Sequence, residues 1–329
     1  MKVLVTGGAG FIGRRLVAAL LEQETMPDAH GREQTLDAIR VSDVAEPLNP
    51  FPGDERIETI YGDLSENGAA ARLVSDDVEL VFHLAAVVSG EAETNFDLGL
   101  RINLDGTRRV LEACRRAGQC PRVVFSSSVA AYGGAMPEVI RDDTPANPQT
   151  SYGVQKVMSE YLVGDFSRKR FIDGRSLRLP TIVVRPGKPN AAASSFASSI
   201  IREPLQGDEF PCPVPDGTGI WVLSPRQVVE AFLHAARLPQ REWEARRTLA
   251  LPGITVTIAE VLNALKGIGG RAVVERIRFD TDPFIEKIVQ GWPVRFAPER
   301  ALAMGFAADE GIDAIIQAFV DDELGGRVA

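Results

Sequence analysis

The stretch that decides the fold reads Thr6-Gly7-Gly8-Ala9-Gly10-Phe11-Ile12-Gly13. It joins an apolar run ending at Thr6 to a helical pattern starting at Phe11, and its glycines Gly7, Gly10 and Gly13 fall in steps of three. Glycines at such a turn permit a tight bend and let the backbone approach a pyrophosphate at the N-terminus of the helix. An ordinary glycine-rich turn is the alternative, and the glycines alone do not exclude it.

Apolar, β-branched runs alternate with helical patterns through the first half of the chain, which is typical of a parallel sheet covered by helices. The sequence therefore predicts an α/β fold with a Rossmann-type, doubly wound parallel sheet. The predicted strands are Val3–Thr6, Ala38–Asp43, Ile57–Gly62, Leu80–Ala85, Arg122–Ser126 and Ser176–Val184. The predicted helices are Phe11–Glu24, one within Phe96–Ala117, and Tyr152–Arg170, and the polar stretch Thr25–Gln34 is predicted to be an exposed loop.

The pattern changes beyond Gly187, where prolines interrupt the chain and short helical patterns alternate with loops. This change predicts a smaller, mixed substrate-binding region at residues 187–329, after a dinucleotide-binding domain at residues 1–186. Two helical patterns, at residues 224–236 and 312–323, are expected to pack back on the first domain.

The composition is that of a globular protein able to bury a full core, since 45% of the 329 residues are hydrophobic and 25% are charged. A net charge of −9 argues against nucleic acid or an anionic membrane as the main partner. Cys114, Cys120 and Cys212 show neither metal-site spacing nor a disulfide framework, so they are expected to be reduced thiols in a cytoplasmic protein. No metal site, signal peptide or membrane span is predicted.

Two side chains that can carry proton chemistry lie four residues apart in Ser151-Tyr152-Gly153-Val154-Gln155-Lys156. This spacing puts Tyr152 and Lys156 on the same face of the predicted helix. An ammonium beside a phenol favours the phenolate and lowers the pKa of the phenol, so Tyr152 can act as a base closer to neutrality. For this spacing alone, a pair of surface side chains is the alternative. The segment Ser126-Ser127-Ser128-Val129-Ala130-Ala131-Tyr132-Gly133 precedes the pair.

The glycine stretch, the serine-rich segment and the Tyr-x-x-x-Lys spacing, in this order, resemble the extended short-chain dehydrogenases/reductases, the group that contains the nucleotide-sugar epimerases and dehydratases. The resemblance covers essentially the whole chain. Two further stretches, His83–Gly90 and Pro180–Ala197, resemble the D-erythronate dehydrogenase branch of that family. The resemblance implies an NAD cofactor and a homodimer formed by the helices within Phe96–Ala117 and Tyr152–Arg170.

Three catalytic residues are implied by the resemblance. Tyr152 exchanges the proton, Ser128 donates a hydrogen bond to the reacting oxygen, and Lys156 binds the nicotinamide ribose and holds the pKa of Tyr152 near its working value. A serine nucleophile is the rival interpretation, but the sequence has no Gly-x-Ser-x-Gly elbow and no evident base histidine. His83, at the end of a predicted strand, is expected to be structural.

The choice of cofactor is expected to depend on Asp43, which closes the second predicted strand, where an acid hydrogen-bonds the adenosine ribose and repels a 2′-phosphate. Asp37 is the competing candidate, and a solvated loop position is the alternative for Asp43. Arg14 and Arg15 keep NADP open as a second cofactor. The implied cofactor-binding residues are Gly7, Gly10, Phe11, Ile12, Gly13, Asp43, Asp63, Leu64, Leu84, Ala85, Ala86, Asn103, Ser126, Tyr152, Lys156, Pro180 and Thr181.

Two of these residues have specific expected roles. Asp63, which follows the third predicted strand, is expected to accept a hydrogen bond from the adenine amino group. Asn103 is expected to support the active site, with a capping or packing role as the alternative.

The substrate end departs from the nucleotide-sugar enzymes, which carry an Arg-Asp-x-x-His-Val-Asp-Asp segment whose arginine meets the substrate pyrophosphate. The equivalent region, Gly219–Gln227, lacks the leading Arg-Asp and has Ser-Pro-Arg-Gln in place of His-Val-Asp-Asp. A small carboxylate with hydroxyls is therefore the expected substrate, although each candidate residue could equally belong to the surface or the scaffold. The candidates are Ser89, Ser128, Arg185, Lys188, Asn190 and Ser195, with further polar groups on Ser194 and Arg202.

The function predicted from these residues and the resemblance is NAD-dependent oxidation of the 2-hydroxyl of a small sugar acid, D-erythronate, to a 2-oxo acid. One rival is a nucleotide-sugar 4-epimerase or dehydratase that recycles its NAD. A different class is a non-catalytic dinucleotide sensor on the same fold, since a fold does not fix a function.

Overall fold

The computed structural model describes residues 1–28, 30–47, 49–188, 194–243 and 246–329. The strands are β1 (Lys2–Thr6), β2 (Thr25–Pro27), β3 (Glu33–Thr35), β4 (Ala38–Asp43), β5 (Ile57–Tyr61), β6 (Val78–His83), β7 (Arg122–Ser128), β8 (Ile140–Arg141), β9 (Asp173–Leu179), β10 (Thr181–Ile182), β11 (Phe210–Cys212), β12 (Gly219–Leu223), β13 (Thr248–Ala250), β14 (Ile254–Thr257), β15 (Ile277–Phe279) and β16 (Phe296–Ala297). The helices are α1 (Phe11–Leu21), α2 (Ala69–Leu73), α3 (Ser89–Thr94), α4 (Phe96–Gly99), α5 (Thr107–Ala117), α6 (Ser151–Arg168), α7 (Ser195–Gln206), α8 (Pro225–Arg237), α9 (Gln240–Trp243), α10 (Ile258–Gly269), α11 (Arg271–Val274), α12 (Pro283–Gln290), α13 (Glu299–Ala303) and α14 (Ile312–Glu323). A π-helical stretch, Leu100–Gly106, joins α4 to α5.

The central sheet has seven strands in the order β13-β9-β7-β6-β1-β4-β5. β1 pairs in parallel with β4 on one side and with β6 on the other, and the pairs β4–β5 and β6–β7 are also parallel. From β1 the chain first builds one side of the sheet with β4 and β5, and then crosses to the other side of β1 to build β6, β7 and β9. In such sheets ligands bind where the strand order reverses, beyond the carboxyl ends of the strands. The predicted α/β fold with a Rossmann-type, doubly wound sheet is confirmed.

The chain folds into two compact units, and the first consists of residues Met1–Ala131, Thr150–Arg178 and Val229–Leu249. The central strands of this unit are buried along most of their length, with Val3, Leu4 and Val5 of β1 fully inaccessible to solvent. Strands that are covered by helices on both faces read as continuous apolar runs, which is why the pattern of β1 is so clear in the sequence.

The second compact unit consists of residues Tyr132–Gln149, Leu179–Val228 and Ala250–Ala329. It has a three-stranded sheet in the order β10-β12-β14 and a hydrophobic core to which α7, α10 and α14 contribute. Residues 229–236 of one predicted helical pattern thus lie in the first unit, whereas α14 lies in the second. A domain boundary at residue 186 stays a prediction, because compact units and independently folding domains need not coincide.

The predicted exposed loop Thr25–Gln34 is wrong over most of its described length. β2 and β3 form a small antiparallel hairpin there, and Met26 is fully buried. The Asp28 carboxylate accepts hydrogen bonds from the backbone N–H groups of His30 and Arg32, and it also pairs with the Arg32 guanidinium. Although burial raises the pKa of Asp28, these contacts lower it to about 2, so the charged carboxylate organises the turn.

The predicted strand Ser176–Val184 is also wrong as a single strand. β9 ends at Leu179 in the central sheet, and β10 pairs with β12 in the other sheet. Pro180 stands between them, and because proline has no N–H to donate, it interrupts a strand. Two other boundaries shift: the fourth predicted strand, Leu80–Ala85, is β6 and ends at His83, and the fifth, β7, continues to Ser128.

Candidate active site

The turn between β1 and α1 is packed backbone to backbone. Gly7 has φ +70°, and a Cβ placed on it would lie 2.7 Å from the backbone nitrogen of Ala85. A Cβ on Gly13 would lie 2.2 Å from the carbonyl oxygen of Gly7, so only glycine fits at either position. Gly10 caps α1 with its backbone, and among the described residues no side chain caps this end, which leaves N–H groups of the first turn for an anion such as a pyrophosphate.

Asp43 lies beside this turn. Its Oδ2 accepts a hydrogen bond from the Ala9 backbone nitrogen at 3.0 Å, and its Oδ1 accepts one from the Val44 nitrogen at 2.8 Å. The competing candidate, Asp37, is exposed and pairs instead with the Met1 ammonium group. An open cleft of about 440 Å³ adjoins Asp43 and is lined by Ala9, Gly10, Arg14, Asp43, Ala45, Glu46, Pro47 and Asn49. The glycine turn and this acid could hold a dinucleotide, the turn by its pyrophosphate and Asp43 by its adenosine ribose.

The two arginines that kept NADP open are both engaged. Arg14 donates a hydrogen bond to the carbonyl oxygen of Asn49 at 2.6 Å, and its guanidinium lies 4.9 Å from the centroid of the Phe51 ring. Arg15 lies over the ring of Phe11 and donates to the Phe11 carbonyl oxygen. Arg14 therefore holds the segment that forms one wall of the cleft.

The turn after β5 is fixed by Asp63. Its Oδ1 accepts hydrogen bonds from the nitrogen and hydroxyl of Ser65, and its Oδ2 pairs with Arg101. Burial alone would raise the pKa of Asp63, but the contacts with Ser65 and Arg101 hold it below its usual value. The Leu64 side chain is buried in the core of the first unit. Adenine recognition by Asp63 stays a prediction. The adenine amino group would have to donate to a carboxylate lone pair that Ser65 and Arg101 do not already use.

The segment Leu84–Val87 follows β6 and runs against the glycine turn. Asn103, buried in the π-helical stretch, accepts a hydrogen bond from the Val87 nitrogen at 2.9 Å and donates to the Val87 carbonyl oxygen and to Gln155 Oε1. Asn103 therefore ties this segment, which includes Ala85 and Ala86, to α6.

His83 is a buried structural residue, as predicted. The Thr107 hydroxyl donates to the Asn103 carbonyl, so it accepts from His83 Nε2, while the Thr6 hydroxyl, which accepts from the Ala85 nitrogen, donates to His83 Nδ1 at 2.6 Å. Burial, with a smaller contribution from Lys156, lowers the pKa of His83 to about 3. Both ring nitrogens are occupied and the ring is neutral, so His83 is not the base.

Ser128, Tyr152 and Lys156 come together where β7 ends and α6 begins. Thr150 caps α6, accepting a hydrogen bond from the Gly153 nitrogen, and the helix then presents Tyr152 and Lys156 one turn apart. Lys156 Nζ donates to the carbonyl oxygen of Ser126 at 2.7 Å and lies 5.5 Å from the centroid of the Tyr152 ring. The Ser128 side chain hydrogen-bonds Tyr152.

The pKa of Tyr152 is shifted in the direction opposite to the one expected from the sequence, and the pKa of Lys156 is shifted as well. Burial raises the pKa of Tyr152 to about 12, although the hydrogen bond from Ser128 lowers it, and burial lowers the pKa of Lys156 to about 7. The expectation that Lys156 lowers the pKa of Tyr152 considered only their proximity, whereas burial disfavours the charged form of both groups. Any added negative charge near Lys156 therefore matters, because it restores the ammonium that a phenolate needs beside it.

A family model described as the NAD dependent epimerase/dehydratase family matches residues 3–247. This chain belongs to that family. It is 48% identical over 322 residues to the D-erythronate dehydrogenase of Cupriavidus necator, with 98% of each protein covered. It is 42% identical over 324 residues to the D-erythronate dehydrogenase of Haemophilus influenzae, covering 98% of this chain and 100% of that protein.

A solved structure, the nucleoside-diphosphate-sugar epimerase from Agrobacterium tumefaciens, matches with a TM-score of 0.94 and 41% identity. The match covers 100% of this chain and 96% of that one. The resemblance to the extended short-chain dehydrogenases/reductases, and to their D-erythronate dehydrogenase branch, is confirmed by these relatives.

In this epimerase/dehydratase-family chain, the predicted substrate-binding residues are divided between the two units, and two predicted cofactor-binding residues, Pro180 and Thr181, lie in the second. Ser89 begins α3 and Ser128 ends β7 in the first unit, whereas Arg185, Lys188 and Ser195 belong to the second. Asn190 lies outside the described residues. Among the parts of the chain that the structure describes, no group of three His, Cys, Asp or Glu side chains could hold a metal ion, and no helix could cross a membrane.

Arg185 has a cationic environment. Its backbone nitrogen donates to Ser198 Oγ at 3.0 Å, and its carbonyl oxygen accepts from Arg202 at 2.5 Å. Burial and the neighbouring Arg202 charge lower the pKa of Arg185 below its usual value. Arg202 is buried and also binds Ser199 and Glu203, so it acts as a scaffold for α7. Lys188 is exposed.

The sequence does not single out Ser127, Glu160 and Arg178, which hydrogen-bond one another beside the predicted catalytic trio; Ser127 and Glu160 are buried and Arg178 is partly buried. Glu160 follows Lys156 by one helical turn and accepts hydrogen bonds from the Ser127 hydroxyl at 2.5 Å and from Arg178 at 2.8 and 2.6 Å. The four-residue spacing from Tyr152 to Lys156 to Glu160 is the signal that could have found Glu160. Arg178 has no such signal, because only the fold brings β9 to α6.

Proposed function

We propose that this chain is an NAD-dependent dehydrogenase that oxidises the 2-hydroxyl of D-erythronate to the 2-oxo acid. The observation that carries the reaction type is the meeting of Ser128, Tyr152 and Lys156 at the end of β7, in the unit that holds the glycine turn. The proposed substrate follows from the two D-erythronate dehydrogenases that are 48% and 42% identical over nearly the whole chain.

Tyr152, Ser128 and Lys156 each have a distinct role in the proposed oxidation. Tyr152 takes the proton of the 2-hydroxyl as the carbonyl forms, and Ser128 hydrogen-bonds the reacting oxygen. Lys156, when protonated, stabilises the phenolate of Tyr152 and binds the nicotinamide ribose. Bound NAD supplies the acceptor for the hydride that leaves carbon 2. One proton and one hydride thus leave the alcohol, and the products are the 2-oxo acid, NADH and a proton.

The family description gives an NAD-type cofactor. Our proposal is more specific: the cofactor is NAD rather than NADP. Asp43 supports this choice because its carboxylate lies beside the Ala9 nitrogen and the cleft, where a 2′-phosphate would meet a like charge. We expect the wild type to favour NAD, and Asp43→Ala to narrow the ratio of kcat/KM for NAD to that for NADP by about tenfold or more.

Asp37→Ala is the matched control for that comparison, because Asp37 is exposed and pairs with Met1 rather than with the glycine turn. It should leave the cofactor ratio unchanged. A wild-type preference for NADP would show that Asp43 is misassigned and would direct attention to Arg14, which lines the same cleft.

The substrate is tested by mixing the protein with NAD and D-erythronate and recording NADH absorbance, with UDP-sugars in parallel. The dehydrogenase produces NADH from the acid, whereas an epimerase that recycles NAD produces none. The epimerase is the second candidate because the Agrobacterium tumefaciens structure carries that name. Turnover of a UDP-sugar but of no four-carbon acid would contradict the proposed function, and a dinucleotide sensor would turn over neither.

The substrate carboxylate is proposed to bind Arg185 or Lys188. A half-buried guanidinium beside a second arginine is stabilised by an anion, and the charged hydrogen bond contributes about 1.5–3 kcal/mol. Arg185→Ala or Lys188→Ala should therefore lower kcat/KM for D-erythronate about tenfold or more. Arg226→Ala is the control, because Arg226 is an exposed arginine of the same unit paired with Asp322. Normal kinetics in both variants would remove only the carboxylate assignment.

A homodimer stays part of the proposal. Val154, Met158 and Tyr161 are exposed and share one face of α6, and Phe96 is exposed at the start of α4. Exposed apolar side chains in such a row are typical of an interface between helices. Sedimentation of the protein as a monomer at micromolar concentration would contradict the dimer.

A further inference from the structure

Glu160 is a buried residue, and both oxygens of its carboxylate accept hydrogen bonds. It lies on α6 one turn beyond Lys156 and two turns beyond Tyr152. Its Oε1 accepts hydrogen bonds from the Ser127 hydroxyl at 2.5 Å and from Arg178 Nε at 2.8 Å, and its Oε2 accepts one from Arg178 Nη2 at 2.6 Å. A bidentate arginine and a hydroxyl keep a buried carboxylate charged, because they replace the hydrogen bonds of water.

Three consecutive residues of β7 are attached to this one helix. The Ser126 carbonyl accepts from Lys156, the Ser127 hydroxyl donates to Glu160, and the Ser128 hydroxyl hydrogen-bonds Tyr152. The two outer contacts hold groups of the proposed catalytic trio. The Ser127–Glu160 contact lies between them in the strand, so it fixes the position from which Ser126 and Ser128 reach α6.

The charge of Glu160 acts on Lys156. Burial lowers the pKa of Lys156, and among the described residues Glu160 is the one whose charge raises it. Within the described residues, the other ionisable groups around Lys156 are Tyr152 on α6, His83 on β6, which burial keeps neutral, and Arg178 on β9, which is bound to Glu160. Glu160 thus favours the ammonium form of Lys156 at neutral pH.

We propose that Glu160 is a positioning residue of the dehydrogenase: with Arg178 it anchors Ser127, and its charge holds Lys156 in the protonated form that Tyr152 needs as a base. The inference rests on the proposed function, because Ser128 and Lys156 act through that reaction. A purely structural ion pair is the alternative, and it would affect folding without changing how the rate depends on pH.

The test is Glu160→Gln, which keeps the shape and can still accept hydrogen bonds but carries no charge. Without the anion the pKa of Lys156 falls, neutral Lys156 no longer stabilises the phenolate, and the pKa of Tyr152 rises. We therefore expect the acid limb of the kcat/KM profile for D-erythronate to move to higher pH by about half a unit or more, with kcat at pH 7 about tenfold lower. The Kd for NAD should change by less than about threefold, since the glycine turn and Asp43 are untouched.

Two control variants separate charge from contact. Ser127→Ala removes the hydrogen bond but keeps the carboxylate, so it should lower kcat without moving the acid limb. Asp165→Asn removes a carboxylate from the exposed side of α6, where Asp165 pairs with Arg168, and it should change neither. An acid limb that stays in place in Glu160→Gln, or that moves equally in Asp165→Asn, would overturn the proposal.

A second measurement does not depend on the substrate. Burial lowers the pKa of Lys156 in the folded protein from 10.5 to about 7, so between these pH values the unfolded chain binds more protons and stability rises with pH. In Glu160→Gln this rise should begin at lower pH. If the wild type does not oxidise D-erythronate, the proposed function fails, and the unfolding curves against pH still decide the role of Glu160.

If Glu160→Gln does not fold, Glu160→Asp decides instead. The shorter side chain keeps the charge but cannot reach Ser127 and Arg178 together. We expect kcat to fall at an unchanged acid limb, and wild-type kcat in this variant would overturn the positioning role.

Discussion

Tyr152→Phe should lower kcat for D-erythronate oxidation by about 10²- to 10⁴-fold, while the protein still binds NAD within a few-fold of the wild-type affinity. The variant keeps the ring, which lies against Lys156, and removes only the phenol oxygen that Ser128 hydrogen-bonds. Loss of the proton acceptor affects the transition state rather than the binding of the cofactor. The effect therefore belongs in kcat and not in the Kd for NAD.

Tyr161→Phe is the matched control, because Tyr161 lies on the same helix but is exposed. It loses the same atom and should keep wild-type kcat. Stopped-flow measurement of NADH formation in a single turnover separates the chemical step from product release. Near-normal single-turnover rates in Tyr152→Phe would remove Tyr152 from the mechanism, and a large loss of NAD affinity would give it a binding role instead.

The parts of the fold that were predictable are those in which local pattern and tertiary environment agree. β4 has the predicted bounds Ala38–Asp43, since a buried parallel strand is a continuous apolar and β-branched run. The glycine turn was readable because each glycine answers a local need, a positive φ at Gly7 and a close backbone approach at Gly13. The sequence favoured Asp43 over Asp37 as the ribose-binding acid but did not exclude Asp37, because the two acids stand at opposite ends of the same strand.

The two wrong predictions have a common physical origin, because in both segments tertiary contacts, and not the local sequence pattern, determine the structure. Met26 is buried in a stretch that is otherwise polar, so the hairpin of β2 and β3 has no run long enough to be recognised. The stretch Ser176–Val184 has strand propensity on both sides of Pro180, and the pairing partners alone assign its two parts to different sheets. Propensity gives the conformation of such segments and not their partners.

The site shows the same limit. The spacing of Tyr152 and Lys156 predicted that they meet, and they do, but it could not predict that burial would raise the pKa of one and lower that of the other. Glu160 extends the same helical face, whereas its partner Arg178 comes from a strand that is adjacent only in the fold. Spacing along a helix thus finds neighbours, and only packing sets their charges.

A second charge cluster lies in the first unit, and none of its members belongs to the proposed catalytic trio. Asp173, at the start of β9, is buried and accepts hydrogen bonds from Arg122 at 3.3 Å, Arg175 at 2.6 Å and Arg247 at 2.7 Å. Arg122 and Arg175 also donate to carbonyl oxygens in the last turn of α8, Arg122 to Ala236 and Arg175 to Ala235. The partial negative charge of that helix end offsets part of the excess positive charge.

Asp173→Ala should give the largest loss of stability of any single substitution considered for this chain, about 3–5 kcal/mol in the free energy of unfolding. The reason is the state that remains, in which three guanidinium groups stay together and two of them, on Arg122 and Arg175, are fully buried without a carboxylate. The pKa of Arg175 is lowered, first by burial, and the charge of Asp173 works against that shift, so removing the carboxylate makes the buried cation still less favourable.

Denaturant unfolding at pH 7 measures this loss, with Asp165→Ala as the control. Asp165 also pairs with an arginine, Arg168, but both side chains are exposed, so its removal should cost less than about 1 kcal/mol. In the part of the chain that the structure describes, Asp173 contacts arginines and no residue of the proposed catalytic trio, so the folded fraction of Asp173→Ala should keep the wild-type KM for D-erythronate. A loss of stability no larger than that of Asp165→Ala would mean that the helix end and water alone can carry the three arginines, and the carboxylate would then be dispensable to the fold.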